Sequence, residues 1–76
     1  MKEIKVLGSG ENSMELAIMV VKAANELTME YRLEQTSNED EIISHGVIVT
    51  PAIVINGSVA FSGNTPEYEE LINALK

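Results

Sequence analysis

The chain of 76 residues contains no cysteine and no tryptophan, and only one phenylalanine, two tyrosines and one histidine. Without a thiolate, the chain cannot by itself carry out thiol–disulfide exchange. Five cationic residues are scattered among twelve acidic ones, so no basic stripe is available to neutralise phosphates. No apolar run approaches the roughly 18 residues of a membrane span. We therefore expect neither a nucleic-acid partner nor a membrane partner.

The composition indicates one folded domain over residues 1–76, because 45% of the residues are hydrophobic and mostly aliphatic. The start of the chain, Met1–Ile4, leads directly into an alternating segment rather than an apolar signal region, and a cytoplasmic location is the expectation. The net charge of −7 is interpreted as an aid to solubility, with a cationic partner as the alternative.

Hydrophobic periodicity predicts three helices and four strands. Residues 2–7, 29–35, 52–55 and 58–61 are expected to be strands, and residues 12–27, 38–45 and 65–75 helices. Asn12 is the expected N-cap of the first helix, with Glu15 completing a capping-box-like pair. Thr65 is the expected cap of the last helix, with Pro66 at its first position. Asn56-Gly57 between two apolar runs predicts a hairpin.

The predicted order is β-α-β-α-β-β-α, which indicates an α/β fold with one four-stranded mixed sheet and helices on both faces. Strand 2–7 is expected to pair parallel with 29–35 and antiparallel with 52–55, and the first crossover is expected to be right-handed.

This order resembles the thioredoxin fold of the thioredoxin- and glutaredoxin-like proteins, and it is most similar to their small archaeal and bacterial "redox-active disulfide" members. The resemblance rests on Lys5–Gly10 before the first helix, Gly46–Ala52, Ile53–Gly57, and Ser62-Gly63 before Pro66. In that family the proline matching Pro51 is cis, and the residue before it offers backbone hydrogen bonds to an extended substrate. The family's two cysteines, however, correspond to Glu11 and Met14 here.

The resemblance and this departure together predict a redox-inactive, non-catalytic binding module that takes a protein or an extended peptide. The expected binding residues are the helix start (Glu11, Asn12, Ser13, Met14) and the proline segment (Thr50, Pro51). The alternative is a thioredoxin-like disulfide oxidoreductase family member, or a cysteine-free variant of one, whose thiol chemistry is absent in this chain. The chain is expected to be a monomer or a weak homodimer.

Other chemistries are weaker hypotheses. Ser13 and His45 form the chain's one possible nucleophile–base pair, but His45 ends a different helix and is expected to lie outside hydrogen-bond reach. Glu11 at a helix N-terminus favours the carboxylate form, which disfavours a general-acid role. Gly8-Ser9-Gly10 lacks the full phosphate-binding motifs. No metal and no cofactor are predicted.

Apolar residues are also expected at the surface of the first helix. Its polar stripe of Glu15, Lys22 and Glu26 is flanked by Met14, Ile18 and Met19. Met14 is expected beside Pro51, forming with Ile18, Ile48 and Val49 a partly exposed patch that a partner or a second copy could contact.

Overall fold

The computed structural model describes residues 1–76, the whole chain. The strands are β1 (Lys2–Leu7), β2 (Tyr31–Thr36), β3 (Ala52–Ile55) and β4 (Ser58–Ser62), and the helices are α1 (Glu11–Glu26), α2 (Glu39–Ser44) and α3 (Tyr68–Leu75). The order β1-α1-β2-α2-β3-β4-α3 confirms the predicted arrangement.

The four strands form one mixed sheet in the order β2-β1-β3-β4. Strand β1 pairs parallel with β2 and antiparallel with β3, as predicted. The β3–β4 hairpin turns at Asn56 and Gly57, which both have positive φ (50° and 84°), and its register shifts between Ile53 and Val54. The backbone of both turn residues matches the type of turn that Asn-Gly favours.

Alternation along the central strands sends buried side chains to both faces of the sheet. Ile4, Val6 and Ile53 belong to the larger core, together with buried residues of α1 and α3. Leu7 and Val54 belong to a smaller core on the opposite face, where Ile42 of α2 packs. The two clusters confirm the prediction of helices on both faces. Each fully buried aliphatic side chain contributes roughly 1.5–3 kcal/mol.

One ion pair connects α2 to the central strand. The Lys5 Nζ lies 3.1 Å from Glu41 Oε1 on the smaller-core face. The hydrogen bond between the two raises the pKa of Lys5 and lowers the pKa of Glu41. The pair therefore links the short helix α2 to the sheet.

Two helices begin with other caps than those predicted. Helix α1 begins at Glu11 after Gly10, whose φ is 88°, so Asn12 lies inside the first turn and caps nothing. Helix α3 begins at Tyr68, because Glu67 and Glu70 form a capping box that replaces the predicted Thr65 cap. Pro66 is therefore outside the helix.

The predicted strand 29–35 begins two residues late because of the way α1 ends. Thr28 adopts a left-handed φ of 53°, its N–H donates to Asn25 O, and the Met29 N–H donates to Ala24 O. These bonds are those of a Schellman motif, which usually has glycine at the left-handed position. The residues before Tyr31 thus belong to the helix terminus.

Candidate functional site

Gly8 is the point at which the β1–α1 turn meets the proline segment. Gly8 is buried and has a φ of 132°. A Cβ atom placed on Gly8 would lie 2.6 Å from Ser13 Oγ, 3.1 Å from Thr50 Cβ and 3.5 Å from Pro51 Cα. The Thr50–Pro51 peptide bond is cis. The absence of a side chain at Gly8 therefore allows the start of α1 and the proline segment to lie against each other.

The sequence-predicted residues at the start of α1 separate into two groups. Glu11, Asn12 and Met14 are exposed, and Met14 retains 58% of its side-chain exposure. Ser13, by contrast, is only 1% exposed, and its Oγ donates to the Ser9 carbonyl at 3.4 Å. The interpretation of Ser13 as a residue that contacts a ligand is therefore corrected: its side chain fills the space beside Gly8 and supports the turn.

A methionine in place of the family's second cysteine is also expected to pack in a gap near Pro51, and the 58% exposure of Met14 contradicts this expectation. Residues 13 and 14 point about 100° apart around a helix. Because Gly10 rather than Asn12 precedes α1, Ser13 takes the inward direction and Met14 faces solvent. The expectation that at least one of Met14, Ile18 and Met19 is exposed holds, since Ile18 is also 55% exposed.

A groove of about 670 Å³ opens beside Thr50, between the β1–α1 turn and α2. Its lining residues come from the turn, from α2 and from the segment before the proline: Gly8, Ser9, Glu39, Ile42, Ile43, Gly46, Val47, Ile48 and Thr50. Of the sequence-predicted binding residues, Thr50 alone lines this groove.

Sequence reasoning missed the α2 wall of the groove, although the sequence contains a signal for it. Two isoleucines stand next to each other in a helix of six residues. One face of so short a helix covers the sheet, so adjacent positions cannot both point to the core. Ile42 is the buried one, and Ile43 is 68% exposed on the groove.

The proline segment is attached to the end of β4. The Ser62 Oγ donates to the Val49 carbonyl at 2.8 Å, and the Gly63 N–H donates to the Pro51 carbonyl at 2.9 Å. Gly63 also packs closely, because a Cβ atom there would lie 3.0 Å from Val49 Cγ1. Between these two anchored carbonyls, the backbone N–H and C=O of Thr50 have no partner within the chain. Thr50, which lines the groove, therefore has a backbone donor and a backbone acceptor that the chain leaves unpaired.

The rim of the groove is acidic. Glu39 lines it, and the exposed Asp40 and Glu11 lie on the first turns of α2 and α1. No lysine or arginine is among the lining residues. The one basic side chain that reaches α2, Lys5, is engaged by Glu41. The groove combines apolar walls with the carboxylate of Glu39 and has no lysine or arginine among its lining residues.

The structure gives no support to the other chemistries considered. No hydrogen bond joins Ser13 to His45, because the Ser13 hydroxyl donates to Ser9. No group of three or more His, Cys, Asp or Glu side chains is arranged to hold a metal ion. None of the helices combines the length and apolarity that crossing a membrane requires.

Comparison with known proteins agrees with the architecture. A family model described as a thioredoxin domain matches residues 2–76. The chain therefore belongs to the thioredoxin domain family. No curated protein matches it. Because both positions of the family's cysteine pair are occupied by other residues, this member lacks the groups for thiol–disulfide catalysis.

Proposed function

We propose that this thioredoxin-fold chain is a non-catalytic binding module that holds an extended segment of a partner protein in the groove beside Thr50–Pro51. The observation that carries the proposal is the groove itself. It places free backbone groups of Thr50 next to solvent-exposed apolar side chains, at the place where the start of α1 meets the proline segment.

The backbone of Thr50 supports an extended occupant. Both of its polar backbone groups are unpaired, whereas the flanking carbonyls of Val49 and Pro51 accept hydrogen bonds from residues at the end of β4. An extended peptide that runs beside Thr50 can pair with its N–H and C=O as a short piece of added strand. Main-chain pairing of this kind provides affinity without requiring one particular sequence.

Exposed apolar side chains support an occupant that carries apolar residues. Ile48 is 94% exposed, and Ile43, 68% exposed, lines the same groove from α2. Isolated exposed apolar residues are common on proteins, but contiguous ones around a concave surface mark interaction sites. Covering both isoleucines would remove apolar surface from water at about 25 cal/mol per Å².

The acidic rim determines the charge of the preferred occupant. Glu39 lines the groove and Glu11 stands at the neighbouring helix start, without a cation among the lining residues. A segment with lysine or arginine beside its apolar residues complements this potential, whereas an acidic segment is repelled. We therefore propose an extended segment with mixed basic and apolar residues.

The alternative function keeps the chain among the disulfide oxidoreductases of its family, as a member or variant whose cysteines have been replaced. Family membership is the observation that favours it. An insulin-reduction assay with dithiothreitol separates the two functions. The cysteine-free chain is expected to match the blank, and reduction above the blank would favour the alternative.

The binding proposal is tested by selecting linear peptides from a phage-displayed library on the immobilised chain. Selected peptides are expected to be enriched in basic and apolar residues. In a ¹⁵N-labelled sample they should shift the amide resonances of Ser9, Ile43, Ile48 and Thr50. Their affinity is expected to fall at least tenfold in Ile48→Glu, because a charge replaces an apolar contact in the groove.

Val59→Glu is the matched control. Like Ile48, Val59 is an exposed β-branched apolar residue, 42% accessible. It lies on β4, where it pairs with Val54 near the hairpin turn. This variant should bind the selected peptides as the original chain does. Peptides that bind equally to Ile48→Glu, or that shift amides only on another surface, would contradict the assigned groove.

A further inference from the structure

We propose that the outer edge of β2, together with the adjoining flank of α1, is a two-fold interface with a second copy of this chain. The surface is separate from the groove, and the inference does not rest on the proposed binding function. It is carried by the open edge of β2, by the order of charges along that strand, and by a second apolar stripe on α1.

The β2 edge is regular and unpaired. Strand β2 ends the sheet and pairs only with β1, in an unbroken register over six residues without proline or glycine. The other edge strand, β4, contains a register irregularity. A straight edge is a template for pairing with another strand, and proteins usually protect such edges by charges, prolines, bulges or coverage. Strand β2 carries charges of both signs but no proline or bulge.

The hydrogen bonds of β2 define which backbone groups face outward. The Gly8 N–H donates to Thr36 O at 2.8 Å, and the Lys2 N–H donates to Glu30 O at 3.2 Å. The backbone N–H and C=O groups of the even-numbered residues of this segment therefore point toward β1. In a parallel pair, the backbone groups of successive residues point to opposite sides of the strand. The N–H and C=O groups of Tyr31, Leu33 and Gln35 consequently point away from the sheet, available to a neighbouring strand.

The charges of Arg32 and Glu34 complement those of a second copy when the two-fold axis lies at Leu33. Arg32 and Glu34 flank Leu33 on the strand. A two-fold axis at Leu33 places Arg32 opposite Glu34 of the second copy, and the reverse, in the non-hydrogen-bonded pairs of an antiparallel ladder. Directly opposed side chains have Cβ atoms about 4.5–5.5 Å apart, where opposite charges attract. A shift of the axis to Arg32 or to Glu34 would oppose like charges.

The same register brings the α1 helices to one face of the joined sheet. Directly opposed residues of an antiparallel pair point to the same face, so Leu33 of each copy, which packs against the α1-side core, meets its equivalent there. Tyr31 is also half-buried on this face. The second copy would complete the burial of these side chains.

The flank of α1 beside this edge is apolar. Met14, Ala17, Ile18 and Val21 follow the spacing i, i+3, i+4, i+7 that forms one stripe along a helix. The stripe lies on the side of α1 away from α3, because Glu26 on the opposite flank accepts a hydrogen bond from the Tyr68 hydroxyl of α3 at 2.7 Å. Helix α1 connects β1 to the edge strand β2, so this side of α1 faces the β2 edge.

A strand edge and a helix flank together form a larger interface than either alone. Stable interfaces bury about 1,200–2,000 Å² in total. The helix stripe supplies apolar area, and the backbone pairing and the charge pairs determine the register. A second copy is the occupant because the pattern of one positive and one negative residue around Leu33 is its own complement under a two-fold rotation.

Sedimentation equilibrium tests the interface at about 0.15 M salt, where the mutual repulsion of two acidic chains is screened beyond about 8 Å. The unaltered chain is expected to be a dimer in reversible equilibrium with monomer. Arg32→Glu and Glu34→Arg should each weaken the dimer at least tenfold, since either variant opposes like charges in the register centred on Leu33. An equimolar mixture of the two variants should form a heterodimer, because opposite charges then face each other again.

Glu69→Arg, an exposed charge reversal on α3, is the control and should leave the dimer unchanged. Circular dichroism of each variant verifies that it is folded. A chain that remains monomeric at millimolar concentration overturns the inference, as do single-charge variants that dimerise normally. A mixture that stays monomeric while the unaltered chain dimerises also overturns it, because the contact would then lie on another surface.

Discussion

The close approach at Gly8 allows a quantitative test of how the site is assembled. In Gly8→Ala the new methyl group would lie 2.6 Å from Ser13 Oγ and 3.1 Å from Thr50 Cβ. Both distances are shorter than ordinary van der Waals contact, so the turn or the proline segment must move. The φ of 132° is in addition a conformation that residues with a side chain rarely adopt.

The expected destabilisation has two parts. Holding alanine at an unfavourable positive φ costs about 1–3 kcal/mol. Overpacking a well-packed site costs typically about 1–3 kcal/mol. We therefore expect Gly8→Ala to lower the free energy of unfolding by about 2–6 kcal/mol. For a domain of this size that is a large fraction of the total stability.

Gly46→Ala separates the two parts. Gly46 also has positive φ, 79°, but a Cβ atom there would meet nothing within 4 Å. Its substitution is expected to cost only the backbone term, about 1–2 kcal/mol. The excess cost at Gly8 over Gly46 contains the steric term at Gly8, together with the difference between the backbone terms at φ 132° and φ 79°.

Adding Ser13→Ala to Gly8→Ala removes the atom in the closest contact. Ser13→Ala alone loses one hydrogen bond of 3.4 Å, and the net contribution of such a bond is about 0.5–1.5 kcal/mol. The double variant should be destabilised by about 1 kcal/mol less than the sum of the two single variants, since residues in contact are energetically coupled. Urea denaturation followed by circular dichroism measures all four chains. Equal costs at Gly8 and Gly46, or strict additivity with Ser13→Ala, would refute this account of the junction.

Three further predictions concern chemistry, pH and helix ends. Glu11→Cys with Met14→Cys is expected to give dithiothreitol-dependent insulin reduction above the blank, because a thiol at a helix N-terminus has a lowered pKa; activity equal to the cysteine-free chain would show that more than the two thiols is missing. Lys5 lowers the pKa of Glu41, so the stabilisation by this pair should be complete above the ordinary glutamate pKa and lost as the pH falls through the pKa of the folded state. Glu41→Gln should therefore reduce the pH dependence of the free energy of unfolding, measured in urea between pH 6 and about pH 3. An unchanged pH dependence would contradict this prediction. Thr28→Gly should raise the free energy of unfolding by about 0.5–1 kcal/mol, because glycine adopts the left-handed position of the Schellman motif without a steric penalty; a decrease would contradict it.

Much of the fold could be predicted from the sequence because its signals are local. The alternation in Lys2–Leu7 and the Asn56-Gly57 turn each specify their own structure, and both occur as predicted. Boundaries depended on competition between neighbouring signals. At the start of α3, the reciprocal bonds of Glu67 and Glu70 displaced the expected cap at Thr65, since a capping box satisfies two backbone donors at once.

The candidate site was predictable only in part, because it depends on helix phase and on packing between distant segments. In α1, which begins after Gly10 rather than after Asn12, Ser13 points inward and Met14 outward. To predict the groove wall formed by α2, one would have to know that Ile42 rather than Ile43 covers the sheet. No local pattern specifies which of two adjacent isoleucines a tertiary contact selects.

The two walls of the groove are attached to the rest of the molecule in different ways, and this difference has a consequence for selectivity. The proline wall is held by β4 at the carbonyls of Val49 and Pro51. The α2 wall is a helix of six residues that rests on the single buried side chain Ile42 and on the partly exposed Lys5–Glu41 pair. Backbone amides in α2 should therefore exchange with deuterium faster than those in α1. The rigid proline wall should accept only one backbone conformation of a bound segment. The more mobile α2 wall can adjust to side chains of different size. The groove should therefore select the backbone conformation of a bound segment more strictly than its sequence.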